Sequence, residues 1–132
     1  MDDLMQFLRD RLDKDDQTAR RVESSWRQIG DTGVIVASDG ERAEECANGN
    51  WTGIAEHIVR HDPARILREV DAKRKITECH EPWVAGNGDT ICGRCGREHI
   101  DGRPGGHFPC QTLRLLALPY ADHPDYRDDW RP

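Results

Sequence analysis

Residues 90–99 read TICGRCGREH, and the cysteines of this stretch decide whether the chain folds around a metal ion. Cys92 and Cys95 flank a Gly-Arg pair, and another glycine follows the second cysteine. A tight turn of this kind lets two thiolates and nearby backbone amides face one cation. The spacing therefore predicts a metal knuckle.

Two further residues complete a set of ligands. The pattern His80-x11-Cys92-x2-Cys95-x14-Cys110 places His80 at the end of a predicted helix and Cys110 at the start of another. Three sulfurs and one imidazole fill a tetrahedral zinc site without a vacancy. A helix N-terminus also favours the Cys110 thiolate. We predict structural Zn²⁺ at these residues, with iron as the alternative metal.

Other donors compete for the fourth position. Cys79 adjoins His80 but is expected to face another side of the helix, towards the core. His99 and His107 lie in the same loop as the knuckle, and His107 is the second choice. A redox dithiol is disfavoured, because glycine surrounds the cysteine pair where a thioredoxin-like motif has a strand and a helix. A catalytic zinc is disfavoured as well, because no deaminase-type His-x-Glu accompanies the cysteines.

Composition favours a small metal-stabilised protein. The 132 residues predict one domain, 1–132, and the 36% hydrophobic content is low enough for a metal cross-link to help folding. The net charge of −6 disfavours non-specific attraction to nucleic acid or membrane. The N-terminus lacks the apolar core of a signal peptide, and no run suits a membrane span, so we expect a cytoplasmic protein. In that reducing compartment we expect the five cysteines to be free thiols or metal ligands and not disulfides.

Periodicity predicts an α+β domain. Asp39-Gly40 between two short runs indicates a hairpin, and Asp62-Pro63 indicates a helix start. We expect a metal-organised loop at 84–109, a short helix that begins near Cys110 and is stopped by Pro119, and an extended tail at 119–132 over the surface. The other expected elements are a helix at 3–22, a β-meander from strands near Trp26, at 34–36 and at 42–46, and helices at 54–61 and 63–79.

The helix at 63–79 and the segment before it carry basic residues. From Arg60 to Lys75 there are six Lys or Arg against three acids, a local net charge of +3. A phosphate backbone or an acidic protein surface could be bound by Arg65, Arg68, Lys73 and Arg74. The competing interpretation is a solvated helix face with ion pairs such as Glu69 with Lys73.

Two histidines, His57 and His61, stand four residues apart and could chelate a metal. The His-Glu-x-x-His spacing is missing, so polar residues at a helix end are the simpler interpretation. The sequence also lacks a Gly-x-Ser-x-Gly motif, a Walker loop and a dinucleotide fingerprint, and it therefore assigns no enzymatic activity.

Three stretches resemble a family of small actinobacterial and actinophage proteins without an assigned function. They are MDDLMQFLRDRLDKDDQTAR, AEHIVRHDPARILREVDAKRKITECHEP and PCQTLRLLALPYADHPDYRDDWRP, more than half of the chain. The resemblance implies a helix-to-histidine junction at His80, a Cys-x-x-Cys at Cys92 and Cys95, and a Pro-Cys at Cys110. It is weakest at 84–108.

These observations favour a non-enzymatic zinc-binding accessory protein of a phage-related setting that binds a host macromolecule. A host protein is the favoured partner. The alternatives are a nucleic-acid-binding module that uses the helix at 60–75, and a zinc-dependent hydrolase whose metal keeps an open position. A membrane partner is not expected.

Overall fold

The N-terminal helix α1 spans Asp3–Arg20. It forms an amphipathic helix because Leu4, Leu8 and Leu12 recur every four residues and share one face. In this computed structural model each of these leucines is at most 2% exposed. Asp3 in the first turn and Arg20 in the last turn complement the helix dipole. The predicted N-terminal helix is confirmed and ends two residues earlier than expected, at Arg20 where 3–22 had been predicted.

Helices and antiparallel strands together confirm the α+β class. The structure describes residues 3–22, 24–40, 42–49, 52–98 and 107–132. No helix in these ranges is both long and apolar enough to cross a membrane. After α1 the described elements are β1 Ser25–Gln28, β2 Val34–Ser38, β3 Ala43–Asn48, α2 Thr52–Arg60, α3 Pro63–Cys79, β4 Pro82–Val84, β5 Thr90–Cys92, α4 Cys95–Glu98, α5 Gln111–Ala117, and 3-10 helices at Leu118–Tyr120 and Asp128–Trp130.

The chain divides into two compact units. The central unit is Lys14–Asp71, and the terminal unit combines Met1–Asp13 with Ala72–Pro132. All of the predicted metal ligands fall in the terminal unit. The predicted basic residues are divided, with Arg65 and Arg68 in the central unit and Lys73 and Arg74 in the terminal unit.

The central unit contains a three-stranded antiparallel sheet in the order β1-β2-β3. Trp26 of β1 pairs with Ala37 of β2, and Ile35 of β2 is fully buried. The turn between β2 and β3 uses Gly40 at φ +95°, a backbone conformation that glycine adopts without a steric cost. The predicted meander and its Asp39-Gly40 hairpin are confirmed.

Asp62 connects α3 to the sheet of the central unit. Its Oδ1 accepts the backbone N–H of Arg65 at 2.9 Å, as an N-cap does. Its Oδ2 accepts the backbone N–H of Trp26 at 3.0 Å. Asp62 is only 9% exposed, so both carboxylate oxygens are satisfied in a largely buried position. The predicted helix start at Asp62-Pro63 is confirmed.

The hydrophobic core of the terminal unit surrounds two of the predicted ligands. Cys92 is fully buried and Cys110 is 6% exposed, and both pack among apolar side chains. The rest of this core is Leu4, Met5, Phe7, Leu8, Leu113, Ala117 and Trp130. The cysteines therefore hold interior positions in the same unit as the leucines of α1.

A second hairpin, β4–β5, occupies the first part of the predicted loop at 84–109. Trp83 pairs with Ile91, and the backbone N–H of Ala85 donates to the carbonyl oxygen of Asp89 at 2.8 Å. The turn contains Asn87-Gly88, with Gly88 at φ +89°. Asn-Gly is a hairpin signal of the same kind as Asp39-Gly40, but the strands beside it have only three residues each. Strands of three residues are too short to show the alternation of apolar and polar residues by which a strand is predicted from sequence.

The C-terminal segment differs from the extended surface tail expected at 119–132. Pro119 lies within the 3-10 helix Leu118–Tyr120, which continues directly from α5. At the first turn of a helix the missing N–H of proline leaves no hydrogen bond unmade. Further along, Trp130 is 6% exposed and its ring centroid lies 5.2 Å from that of Phe7. Burial of this indole holds the segment against α1.

Candidate metal centre

Four side chains converge at one point of the terminal unit. The donor atoms of His80, Cys92, Cys95 and Cys110 all lie within 4.8 Å of one another. The Nδ1 atom of His80 is 3.3 Å from Sγ of Cys92. The same nitrogen is 3.5 Å from Sγ of Cys95 and 3.5 Å from Sγ of Cys110. These are the four residues that the sequence spacing selects.

The spacing between these donors matches a tetrahedral metal site. Zinc bonds of about 2.1 Å to nitrogen and about 2.3 Å to sulfur, at the tetrahedral angle, separate the two atoms by about 3.6 Å. The three observed N···S distances, 3.3, 3.5 and 3.5 Å, are close to that value. Hydrogen bonding does not account for all three, because one ring nitrogen carries at most one proton. One central cation does account for them.

Four elements position the donors. His80 follows the last residue of α3, and its N–H donates to the Thr77 carbonyl oxygen at 3.1 Å. Cys92 ends β5, and Cys95 begins α4. Cys110 is the N-cap residue of α5, which confirms its predicted position at the start of a helix, and its side chain makes no capping hydrogen bond. The sulfur of Cys110 instead faces Nδ1 of His80.

Glycines shape the turn between the two knuckle cysteines. The backbone N–H of Cys95 donates to Sγ of Cys92 at 3.4 Å, which ties the two ends of the turn together. The N–H of Gly93 donates to the Glu81 carbonyl oxygen at 2.8 Å, and a Cβ at Gly93 would lie 3.1 Å from that oxygen. A Cβ at Gly96 would lie 2.7 Å from Cδ1 of Ile91. Larger residues would push the knuckle away from the β4–β5 hairpin.

The electrostatics of the cluster change with a bound cation. Burial, together with the nearby sulfurs of Cys92 and Cys110, raises the pKa of Cys95 from 9.0 to about 12. Without a cation, the Cys95 thiol therefore resists the loss of its proton. A divalent metal reverses this preference, since a coordinating thiol is deprotonated outright. The arrangement is suited to binding a cation and poorly suited to storing negative charge.

The remaining candidate donors lie apart from the cluster. Cys79 is exposed, so the expectation that it faces the core is wrong. Cys46 is exposed on β3. His107 is exposed and forms a β-bridge with Ile91, so it is not among the four convergent donors. His99 lies outside the described residues.

The basic residues of α3 lie beside carboxylates. Nε of Arg65 is 2.8 Å from Oε1 of Glu69, and Nη2 of Arg74 is 2.6 Å from Oδ1 of Asp13. Arg68 is exposed and Lys73 is partly buried. Arg65 and Arg74 thus form ion pairs within the chain, which lowers the positive potential available to a phosphate. Their role in partner binding stays a prediction.

The whole chain, residues 1–132, matches one protein family, described as Family of unknown function (DUF6221). The chain belongs to DUF6221. No match was found among curated proteins or among solved structures. The DUF6221 assignment supplies no activity, so the convergent cysteines and histidine are the features of this protein that bear on its function.

Proposed function

We propose that this protein is a zinc-stabilised accessory protein whose Cys₃His centre is structural. The observation that carries the proposal is the approach of one nitrogen, Nδ1 of His80, to three sulfurs at 3.3–3.5 Å. Three thiolates and one imidazole are a common ligand set of closed zinc sites. Zinc is favoured over iron because the set is tetrahedral and includes a nitrogen donor.

Four protein donors leave no coordination position for a reactive water. A catalytic zinc instead keeps three protein ligands and a water molecule. Cys92 is fully buried and Cys110 is 6% exposed, which limits the approach of a substrate. These features support a structural role over the hydrolase alternative.

A metal here would join four elements of the terminal unit. The donors come from the end of α3, from the knuckle between the end of β5 and the start of α4, and from the start of α5. Structural zinc in small domains contributes apparent binding free energies of about 10–16 kcal/mol at pH 7, which act as folding free energy. For a chain that is only 36% hydrophobic, such a contribution is comparable to the whole unfolding free energy of a typical domain, about 5–15 kcal/mol.

Metal analysis of the purified protein tests the zinc centre. We expect one zinc per chain by elemental analysis, and intense thiolate-to-metal absorption when cobalt replaces zinc. Cys92→Ser should remove the metal. Cys79→Ser is the matched control, because Cys79 is exposed and adjoins His80 without joining the cluster, so this variant should retain the full metal content. A wild-type protein that contains no metal after purification without chelators would contradict the proposal.

The accessory role is the binding of a host protein. Trp83 is 46% exposed and Val84 is 63% exposed on β4, next to the proposed zinc centre. Tryptophan is enriched at the energetic centres of protein interfaces. The net charge of −6 disfavours nucleic acid, and ion pairs occupy Arg65 and Arg74 of the basic helix. The resemblance to actinobacterial and actinophage proteins makes a host cell protein the expected partner.

Affinity purification from an actinobacterial lysate, with and without nuclease, tests this role. We expect a stoichiometric protein that survives nuclease treatment and is depleted when Trp83→Ala is the bait. Arg68→Gln is the control, because it changes the basic helix and leaves β4 intact. If only nucleic acid is recovered, or if bound proteins are lost on nuclease treatment and with Arg68→Gln, the nucleic-acid alternative replaces the proposal.

A further inference from the structure

A pair of histidines, His57 and His61, lies in the central unit and is not part of the Cys₃His centre. His57 is in the last turn of α2, and His61 follows the end of that helix. Their ring centroids are 4.3 Å apart, with an angle of 35° between the ring planes. Both residues are exposed. The N–H of His61 still donates to the Ile58 carbonyl oxygen at 3.1 Å, which keeps the backbone helical enough to place one ring over the other.

A hydrogen bond fixes the tautomer of one ring. Nδ1 of His61 lies 2.7 Å from the backbone carbonyl oxygen of His57. A carbonyl oxygen only accepts, so Nδ1 carries a proton, and in the neutral ring Nε2 is the nitrogen with the lone pair. Histidines that bind metals commonly donate their other N–H to a backbone carbonyl in this way. The Nε2 atom of His61 is therefore prepared to act as a donor to a cation.

We propose that His57 and His61 form a chelating site for a divalent transition-metal cation of the Ni²⁺, Cu²⁺ and Zn²⁺ class. Imidazole nitrogens suit these ions, and residues four apart lie on the same face of a helix. The position at the C-terminal end of α2 adds an attraction, because the partial negative charge of a helix lies at that end. This site is separate from the zinc centre of the terminal unit and does not depend on it.

The neighbouring carboxylates of Glu56 and Asp62 already bind other groups of the chain, so the two histidines are the ligands that the chain supplies to this site. Oε1 of Glu56 is 3.2 Å from Nη2 of Arg60. The two oxygens of Asp62 accept the backbone N–H groups of Trp26 and Arg65. The cation therefore takes two nitrogens from the chain and fills its other positions with water. Two neutral donors bind more weakly than three thiolates and an imidazole, so the site fills only after the Cys₃His centre is occupied.

Titration of the full-length, zinc-loaded protein with Ni²⁺ tests the proposal. Calorimetry in a non-coordinating buffer should show one Ni²⁺ per chain, while a zinc-sensitive dye shows that no zinc is released. His57→Gln and His61→Gln should each weaken Ni²⁺ binding at least tenfold, because each removes one of two donors. The substitution at His57 leaves its backbone carbonyl, and so the His61 hydrogen bond, in place.

His107→Gln is the matched control, since it removes another exposed histidine, and no second histidine stands four residues before or after it. It should leave the Ni²⁺ affinity unchanged, and far-ultraviolet circular dichroism should show the same helix content in all variants. Three results would overturn the proposal. They are the lack of saturable Ni²⁺ binding, binding that both glutamine substitutions leave intact, and Ni²⁺ uptake matched by zinc release.

Discussion

The Nδ1 atom of His80 lies 3.3 Å from Sγ of Cys92, although one residue follows a long helix and the other ends a three-residue strand. The β4–β5 ladder begins beside both residues, since Pro82 pairs with Cys92 and the N–H of Gly93 donates to the carbonyl oxygen of Glu81 at 2.8 Å. Cys92 is fully buried, so its sulfur has lost contact with water and needs a compensating interaction. A cation shared with Cys95 and Cys110, as proposed above, would provide that interaction.

The identity of the fourth ligand can be tested at His80. His80→Ala should lower zinc affinity by more than about a hundredfold, since loss of an outer-shell partner alone costs about 10- to 100-fold. His80→Cys should keep most of the affinity, because a Cys₄ set also closes a zinc site. Competition with a chromophoric chelator measures both. Equal loss in the two variants would show that His80 acts through packing and not as a ligand.

Zinc affinity should rise with pH. In the metal-free protein the pKa of Cys95 is raised to about 12, so this thiol keeps its proton throughout the neutral range. Zinc binds the thiolate and displaces that proton, so a lower proton concentration favours the complex. Cys95 alone should contribute about a tenfold gain in affinity for each pH unit, which follows from one released proton. Chelator competition between pH 6.5 and 8.5 checks the slope, and a flat profile would contradict it.

Removal of the metal should loosen the β4–β5 hairpin first. Its strands have three residues each, and every residue of β4 is exposed. An isolated hairpin of that size is marginal in water, so it depends on the anchoring of Cys92. After chelation, hydrogen exchange should accelerate at 82–92 and stay slow in β2. Zinc should restore protection at 82–92, and uniform acceleration across both segments would contradict a local role.

The sequence was sufficient to predict elements whose signals are local. Leu4, Leu8 and Leu12 defined α1, and Asp62 with Pro63 defined the start of α3. The convergence of the four metal donors was also predictable, because a closed tetrahedral set demands specific residue types at permitted spacings. In each case a few adjacent or regularly spaced residues determine the outcome.

The features that the sequence did not predict depend on tertiary contacts. Trp130 follows a proline-containing segment without periodicity, and its burial depends on the distant Phe7. Cys79 neighbours a ligand and looked like a core residue, but the direction of its side chain at the end of α3 is set by packing. The Asn87-Gly88 turn was readable, yet the strands that it joins are too short to show a pattern.

Trp130 should be one of the main stabilising side chains of the terminal unit. It is 6% exposed, and its ring centroid is 5.7 Å from that of Tyr126 as well as near Phe7. Trp130→Ala should therefore lower the free energy of unfolding by about 3–5 kcal/mol. Trp83→Ala is the control, because Trp83 is 46% exposed and should cost about 1 kcal/mol or less. Urea unfolding of the zinc-loaded proteins checks both, and similar costs for the two would contradict this ranking.

Asp62 should stabilise the central unit through two hydrogen bonds at once. Asp62→Ala removes the N-cap of α3, which costs about 0.5–2 kcal/mol, and leaves the N–H of Trp26 without its acceptor, which costs about 1–3 kcal/mol more. We expect a total loss of about 1.5–5 kcal/mol in the free energy of unfolding, measured by urea titration.

The zinc content of the Asp62→Ala variant should be unchanged, because Asp62 belongs to the central unit and the metal donors belong to the terminal unit. Asp31→Ala is the matched control, since Asp31 is exposed in a turn and its loss should change stability by no more than about 0.5 kcal/mol. Asp62→Asn keeps one acceptor oxygen and should fall between the two. A cost for Asp62→Ala no greater than for Asp31→Ala would show that neither hydrogen bond contributes to stability.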